Sequence, residues 1–362
     1  MDKITEAQRI LQSCIGTYGV HADTSRYKYQ CWTRDLALAV QPVLHFAEGG
    51  DKAGYNHLAT LAKIQRSDGK IPILFLDGYK GQSHFLWTKI KKSIRDRKLS
   101  FMLQRYLQGK LGDLTPGTRD SELMFLYALS KCDTITKASF AGPAKKAIWY
   151  IETNLLDDNG MLCGCDWRDT MHVELKDKPL LSNNSILYSV WNSFRYQDRA
   201  TRLKQRLASR WEHGVPVDYP GANRFDPLGG ALAILNRVVD RIHFDQMVRC
   251  FRSVDSKHGV TIKCRHNPQN EKEAAVIDRT DGVVVWPFIV GFTILALRHM
   301  NTKMSLAMAV EQEIKLMDLY GFREWYDPAT GQGYGAQEQL WSAAMTLRVY
   351  ENQKPSKGFR GC

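Results

Sequence analysis

Residues 321–344 read GFREWYDPATGQGYGAQEQLWSAA. Glu324 stands beside Trp325 and Tyr326, Asp327-Pro328 and a glycine-rich run follow, and a helix-forming segment opens near Gln339. Pro328 and the glycines that follow it exclude a regular element up to Gly335, so this is an ordered loop feeding a helix. A carboxylate flanked by Trp and Tyr suits sugar chemistry: a base in partly dry surroundings, with flat apolar faces for a pyranose ring. It also suits a surface loop with one acid and packed aromatics, and the loop alone does not choose.

Outward from this loop, apolar residues recur at helical spacing and alternating strand patterns are scarce. Residues 4–15 form a first amphipathic helix. Residues 35–46 and 51–65 form a pair joined by a Glu-Gly-Gly turn that ends the first helix. Further pairs are 119–131 with 137–154, 182–194 with 197–211, 228–238 with 244–254, and 286–300 with 303–319. The last helix, 339–349, has no following partner and the first has no preceding one. Pairing those two closes a ring of helical hairpins. The predicted fold is therefore all-α, an (α/α)6 toroid forming one domain over residues 1–362, with a basic helical insertion at 83–111.

Turns within pairs are short, as antiparallel neighbours require. Between pairs run long segments, 67–118, 157–181, 214–227, 254–285 and 320–338, which all emerge at one end of the ring. Long ordered loops on one face of a rigid scaffold are where a site is expected.

Bulk properties narrow the classes. The chain of 362 residues is 44% hydrophobic and 24% charged, with a formal net charge of +12. The first residues lack the apolar core of a secretory signal, and the longest apolar run, 283–297, is too short and carries Pro287. Eight cysteines, scattered, suggest no disulfide framework, and Cys163-Gly-Cys165 lacks the second pair of a zinc site. A cytoplasmic location, no metal and no cofactor are the expectations. Basic residues crowd 89–98, which reads as a solvated helix face rather than a nucleic-acid surface, because no recognisable binding module surrounds it.

Each long loop delivers a distinctive cluster where the next helix begins. These are CWTRD at 31–35, TPGTRDSE at 115–122, CDWRDTM at 165–171, RFDPLGG at 224–230, RTDGVVVWPF at 279–288, and the 321–344 stretch. Asp35, Asp120 and Glu122 could each simply cap a helix. Clusters of Asp, Glu and Trp converging on one mouth are harder to read as unrelated caps.

In their order these segments resemble the six-hairpin (α/α)6 glycosidases, close to the amylo-α-1,6-glucosidase part of glycogen-debranching enzymes and to the alkaline/neutral invertases. WTRD at 32–35 resembles their W-x-RD substrate-binding segment, and CDWRDTM resembles the TWMDA-type motif that carries the general acid. FDPLGGALAIL at 225–235 is similar to D-x-LGNALAIL. VVWPFIVGF at 284–292 is similar to VWPW-x-x-GF, with Phe288 in the fourth position. GFREWYDPATG followed by AQEQLWSAA resembles the general-base loop and the AQ-x-WS helix.

The resemblance implies an inverting hydrolase with Asp169 as general acid and Glu324 as general base, Asp166 remaining the alternative acid. It places Trp32, Arg34 and Asp35 at the first sugar, with Asp120, Asp166, Trp167, Arg168 and Gln337 nearby. Trp167, Trp286, Trp325 and Trp341 are candidate stacking platforms, at least one of them expected in the core. The implied function is hydrolysis of an α-glucosidic bond in a small saccharide or glycoside. An inactive carbohydrate-binding or scaffold protein with a basic partner-binding helix, or a phosphorolytic relative, are the alternatives.

Overall fold

In the computed structural model, residues 2–78, 81, 83, 119–212, 216–264, 268 and 270–353 are described. The insertion expected at 83–111 lies, beyond its first residue, outside them.

Helix α1 (Lys3–Ser13) is followed by a helical run, α2, that starts at Thr33–Asp35, widens to a π turn at Leu36–Val40 and tightens to a 3-10 segment at Gln41–Phe46. Pro42 explains the irregularity. It has no N–H to give the Leu38 carbonyl, which accepts instead from Arg348 Nη1 at 3.3 Å. Then come α3 (Gly50–Lys63), α4 (Ser121–Ser130), α5 (Thr134–Ser139) and α6 (Ala141–Asn154). They continue with α7 (Leu181–Ser193), α8 (Gln197–Glu212), α9 (Pro227–Leu235), α10 (Phe244–Ser253) and α11 (Glu271–Thr280). The last are α12 (Pro287–Met300), α13 (Lys303–Asp318) and α14 (Leu340–Glu351).

Helices α2, α4, α7, α9, α12 and α14 touch one another in sequence and α14 returns to α2, closing an inner ring. Each packs against one outer helix: α3, α6, α8, α10, α13 and, for α14, α1. Sequence sorts the rings. The inner α4 (SELMFLYALS) and α9 (PLGGALAIL) are apolar nearly all round and buried along their length, as a doubly covered helix must be. The outer α8 and α10 bury only stripes, Ala200, Leu203 and Leu207 in one and Met247, Val248 and Phe251 in the other. The hairpins and the ring are those expected from the sequence.

Three expectations are corrected. Strands line the loop end: β1 (Gln30–Trp32) pairs antiparallel with β2 (Leu74–Leu76). An antiparallel sheet runs in the order β3 (Asp255–Ser256), β4 (Gly259–Lys263), β5 (Val283–Val285), β6 (Trp325–Tyr326), β7 (Gly333–Tyr334). Segments of two to five residues are too short to establish an alternation. The last of them also falls inside the run 328–335, where the sequence predicts no regular element. Helix α11, capped by the Asn270 side chain on the Glu273 N–H at 3.0 Å, stands where the sequence predicts loop. The helix expected at 137–154 is split at Phe140, with Pro143 at the third position of α6. Among the described residues no helix is long and apolar enough to cross a membrane.

Candidate active site

The connections between hairpins meet in a cleft of about 240 Å³ at one end of the ring. Its wall includes Trp32, Arg34, Asp35, Trp167, Trp286, Glu324, Trp325 and Trp341. That volume is below the ~300–1,000 Å³ of drug-sized sites and suits a small ligand.

Glu324 sits just before β6 and is buried to 9% exposure. Its backbone N–H donates to the Ala336 carbonyl at 3.0 Å, and the Ala336 N–H donates back to Oε2 at 2.9 Å. The chain returns through Gly335, whose φ of +72° and approach to Oε2, where a Cβ would lie at 2.4 Å, demand glycine. From the opposite loop, Arg26 Nη1 lies 3.3 Å from Oε2 and the Tyr27 hydroxyl donates to Oε1 at 3.3 Å. Both are presented by a turn in which the buried Asp23 carboxylate accepts the N–H groups of Ser25, Arg26 and Tyr27. Burial pushes the Glu324 carboxyl above its ordinary 4.5, while Arg26, the Ala336 N–H and Tyr27 favour the ionised form. Burial, with Glu324 nearby, likewise holds the Tyr27 phenol protonated.

Arg34 is a node. Its guanidinium reaches Asp120 Oδ1 and the Trp167 carbonyl, each at 3.1 Å, and lies over the Trp32 ring at 5.7 Å. Asp120 is therefore the counter-ion of Arg34, making no side-chain cap on α4 and taking no place in the cleft wall. Glu122, also weighed as a cap, accepts the Ile71 N–H at 2.8 Å, and burial raises its carboxyl to about 7. Asp35 lies in the first turn of α2 and lines the cleft; the cap position belongs to Trp32.

All four candidate tryptophans line the cleft, and all four are also buried in the hydrophobic core, at 2–5% exposure. Trp167, Trp286 and Trp341 pack edge to face with centroids 5.0–6.2 Å apart. Phe288 covers one face of Trp341 at 4.2 Å, and Tyr334 covers one face of Trp325 at 4.8 Å. The indole N–H groups of Trp167 and Trp341 and the Gln339 Oε1 are buried here with no partner among the described residues. Gln337, expected in the site, is exposed and outside the cleft wall; the glutamine that lines it is Gln339, at the start of α14. Gln339 also forms an antiparallel backbone bridge with Asp23.

The loop 165–171 carries both candidate acids. Asp166 is buried, and both its oxygens are bound by Arg168, Nε to Oδ1 at 2.9 Å and Nη2 to Oδ2 at 2.8 Å, with Ser182 donating to Oδ2 at 2.8 Å. Burial raises its pKa, but Arg168 and Ser182 outweigh that, leaving the carboxyl below its ordinary 3.8. Asp166 and Arg168, paired with each other, are both absent from the cleft wall. Asp169 opens the 3-10 turn Asp169–Met171, and its side chain lies outside the described residues; its neighbour Thr170 lines the cleft.

Arg168 also binds Asp218 Oδ2 at 2.6 Å, and Asp226 lies close enough for its charge to be felt. Asp226 caps α9 through the Leu228 N–H at 3.0 Å. Burial, then the Asp218 charge, raises its carboxyl from 3.8 to about 7. Below 3.8 folded and unfolded chains both hold this proton; between 3.8 and about 7 only the folded chain does, so stability falls as pH rises through that window. Asp226→Asn keeps a capping oxygen. It is expected to match the wild type near pH 4 and to melt higher near pH 8, as thermal melts across that range would show.

Sequence reasoning passes over Arg26, Tyr27, Glu273 and Gln339, all in the cleft wall. The Asp23-Thr-Ser-Arg26-Tyr27 turn carries a signal, an Asx turn followed by a basic and an aromatic residue. Glu273 belongs to α11, the helix not anticipated.

No family model and no curated protein matches the chain. Solved structures do, and they define the class first: a complete (α/α)6 toroid. The GH63 mannosylglycerate hydrolase from Thermus thermophilus, in complex with Tris and D-glycerate, is similar with TM-score 0.63 at 14% identity, covering 96% of this chain and 100% of that chain. The same hydrolase with glucose gives 0.53 at 16% identity, covering 97% and 100%. A wild-type glycosidase gives 0.63 at 13%, covering 96% and 95%. At these identities the likeness carries the fold.

Proposed function

We propose that the chain is a glycoside hydrolase cleaving an α-glucosidic bond in a small saccharide or glycoside, with inversion. The observation that supports it most is Glu324, a buried carboxylate pinned in a small cleft beside indole N–H donors and a Gln339 oxygen that have no partner among the described residues. Such groups carry a desolvation cost until a ligand with hydroxyls pairs them. Hydrolase and glycosidase neighbours of the same fold, one of them with glucose bound, support a sugar as that ligand.

In this reading Asp169 protonates the glycosidic oxygen, and the leaving group departs as an alcohol. Water attacks the anomeric carbon from the opposite ring face and gives its proton to Glu324. Inversion needs the carboxyls roughly 6.5–9.5 Å apart. Tyr27 and Arg26 aim Glu324 and favour its ionised form against the effect of burial, while Arg34 with Asp120 fixes the Trp32 and Trp167 loops around Asp35, which binds sugar hydroxyls.

The test is a hydrolysis panel of α- and β-linked disaccharides, malto-oligosaccharides, sucrose and hexosyl glycerates, with Glu324→Gln as control. Release by the native protein alone, with the product anomer inverted by NMR, is the expected result. Phosphate-dependent release of a sugar 1-phosphate would convert the reading to a phosphorylase. Silence across the panel with sugars still raising the melting temperature would convert it to a binder. Within the hydrolase reading, Trp341→Phe removes one donor while keeping most of the ring. It is expected to raise KM about 2–10-fold, the worth of one neutral hydrogen bond, which initial-rate kinetics would measure.

A further inference from the structure

Among the described residues thirteen large hydrophobic side chains are exposed, and six of them fall within residues 304–320: Met304, Leu306, Val310, Ile314, Met317 and Tyr320. Five lie on α13, the outer helix of its hairpin. Its inward side, Met308, Ala309, Gln312 and Leu316, packs on the toroid. The outward side should then be polar, as on α8, whose outward residues include Arg202, Gln205 and Arg206. Instead it is an uncharged stripe, with Val310 at 58% and Ile314 at 57% exposure near its centre. The charged residues flanking the stripe are engaged at home: Glu311 with Arg252, Glu313 with Arg298, and Lys315 with Asp255. A capping box of Thr302 and Ser305 fixes the first turn.

The face is palindromic at six of its eight exposed positions. Reversed about the point between Val310 and Glu311, Met304 falls on Met317, Ala307 on Ile314, and Lys303 on Asp318, all six exposed, while Leu306 falls on Lys315 and Val310, next to the axis, on Glu311. In the first three pairs apolar residues meet apolar ones, and the two end charges are opposite in sign. An isologous contact about a two-fold axis needs that self-complementarity. We infer that α13 is a homodimer surface, docking antiparallel on α13 of a second copy, with Lys303 facing Asp318 at each end.

The helix of 16 residues is ~24 Å long and ~10 Å wide, so its face alone is well short of the ~800 Å² per partner of a standard stable interface. The expected association is therefore weak, with a dissociation constant in the micromolar range or above. It is independent of the catalytic reading, because α13 contributes nothing to the cleft wall.

Sedimentation of the full chain across ~1–200 μM tests it. The mass is expected to climb from one chain toward two. Ile314→Lys, or Val310→Glu, is expected to stay monomeric throughout with an unchanged melting temperature. Lys303→Glu is expected to weaken association several-fold, and adding Asp318→Lys to recover it. Constant monomer mass in the wild type, dimerisation surviving both apolar variants, or no recovery in the double reversal would each overturn the inference. So would a monomer that instead sediments with phosphatidylserine vesicles, which would make the stripe a lipid contact.

Discussion

Glu324→Gln is expected to lower kcat on the cleaved substrate about 10²–10⁴-fold, the usual contribution of a positioned general base. The fold is expected to be kept. Gln is isosteric, and its Oε1 can still accept the Ala336 N–H that Glu324 now receives at 2.9 Å. The pH profile distinguishes a catalytic loss from a merely structural one. As a base Glu324 acts only when ionised, so the acid limb of kcat/KM reports its pKa. Burial places that pKa above the ordinary 4.5, so activity is expected to fall on acidification at a higher pH than an exposed glutamate would give. In the Gln variant the residual rate is expected to lose that limb. A variant with near-normal turnover, or one whose acid limb is unmoved, would remove Glu324 from the role.

The ring is legible in the sequence because period and burial coincide in this chain. Helices α4 and α9 are apolar all round and α8 and α10 are amphipathic, which is the difference between inner and outer helices. The tryptophans are legible too, since each stands where a loop meets a helix or strand. What sequence hides are residues defined by partners far along the chain. Asp120 looks like a cap because it precedes α4, yet its ion partner, Arg34, is 86 positions away. Gln337 and Gln339 both stand near the start of α14 and are alike by type, yet Gln337 is exposed and Gln339 lines the cleft. Asp166 and Asp169 are equivalent by type, and the sequence does not show that Arg168 grips both oxygens of Asp166.

That grip has the largest expected stability effect. Arg168→Met would leave Asp166 and Asp218 buried without the cation that now binds both. Removing one partner of a buried ionic set costs about 3–5 kcal/mol, because the remaining charges are uncompensated. For 362 residues the unfolding entropy is roughly 0.76 kcal/mol/K, so the melting temperature is expected to fall about 4–7 °C. The sign with pH follows from the pair. In the wild type Arg168 holds Asp166 below 3.8, so its stabilisation is present above that value and is lost only as pH falls through the folded value. In the variant Asp166 is buried without its cation, its pKa rises, and stability falls as pH rises. The deficit is therefore expected to be small near pH 4 and full near neutrality. Neutralising the set, with Asp166→Asn and Asp218→Asn added to Arg168→Met, is expected to recover most of the loss. Thermal melts at both pH values decide it. An unchanged melting temperature, or a deficit that grows on acidification, would show that the anchoring of the 165–171 loop rests on packing and backbone hydrogen bonds, not on this charge network.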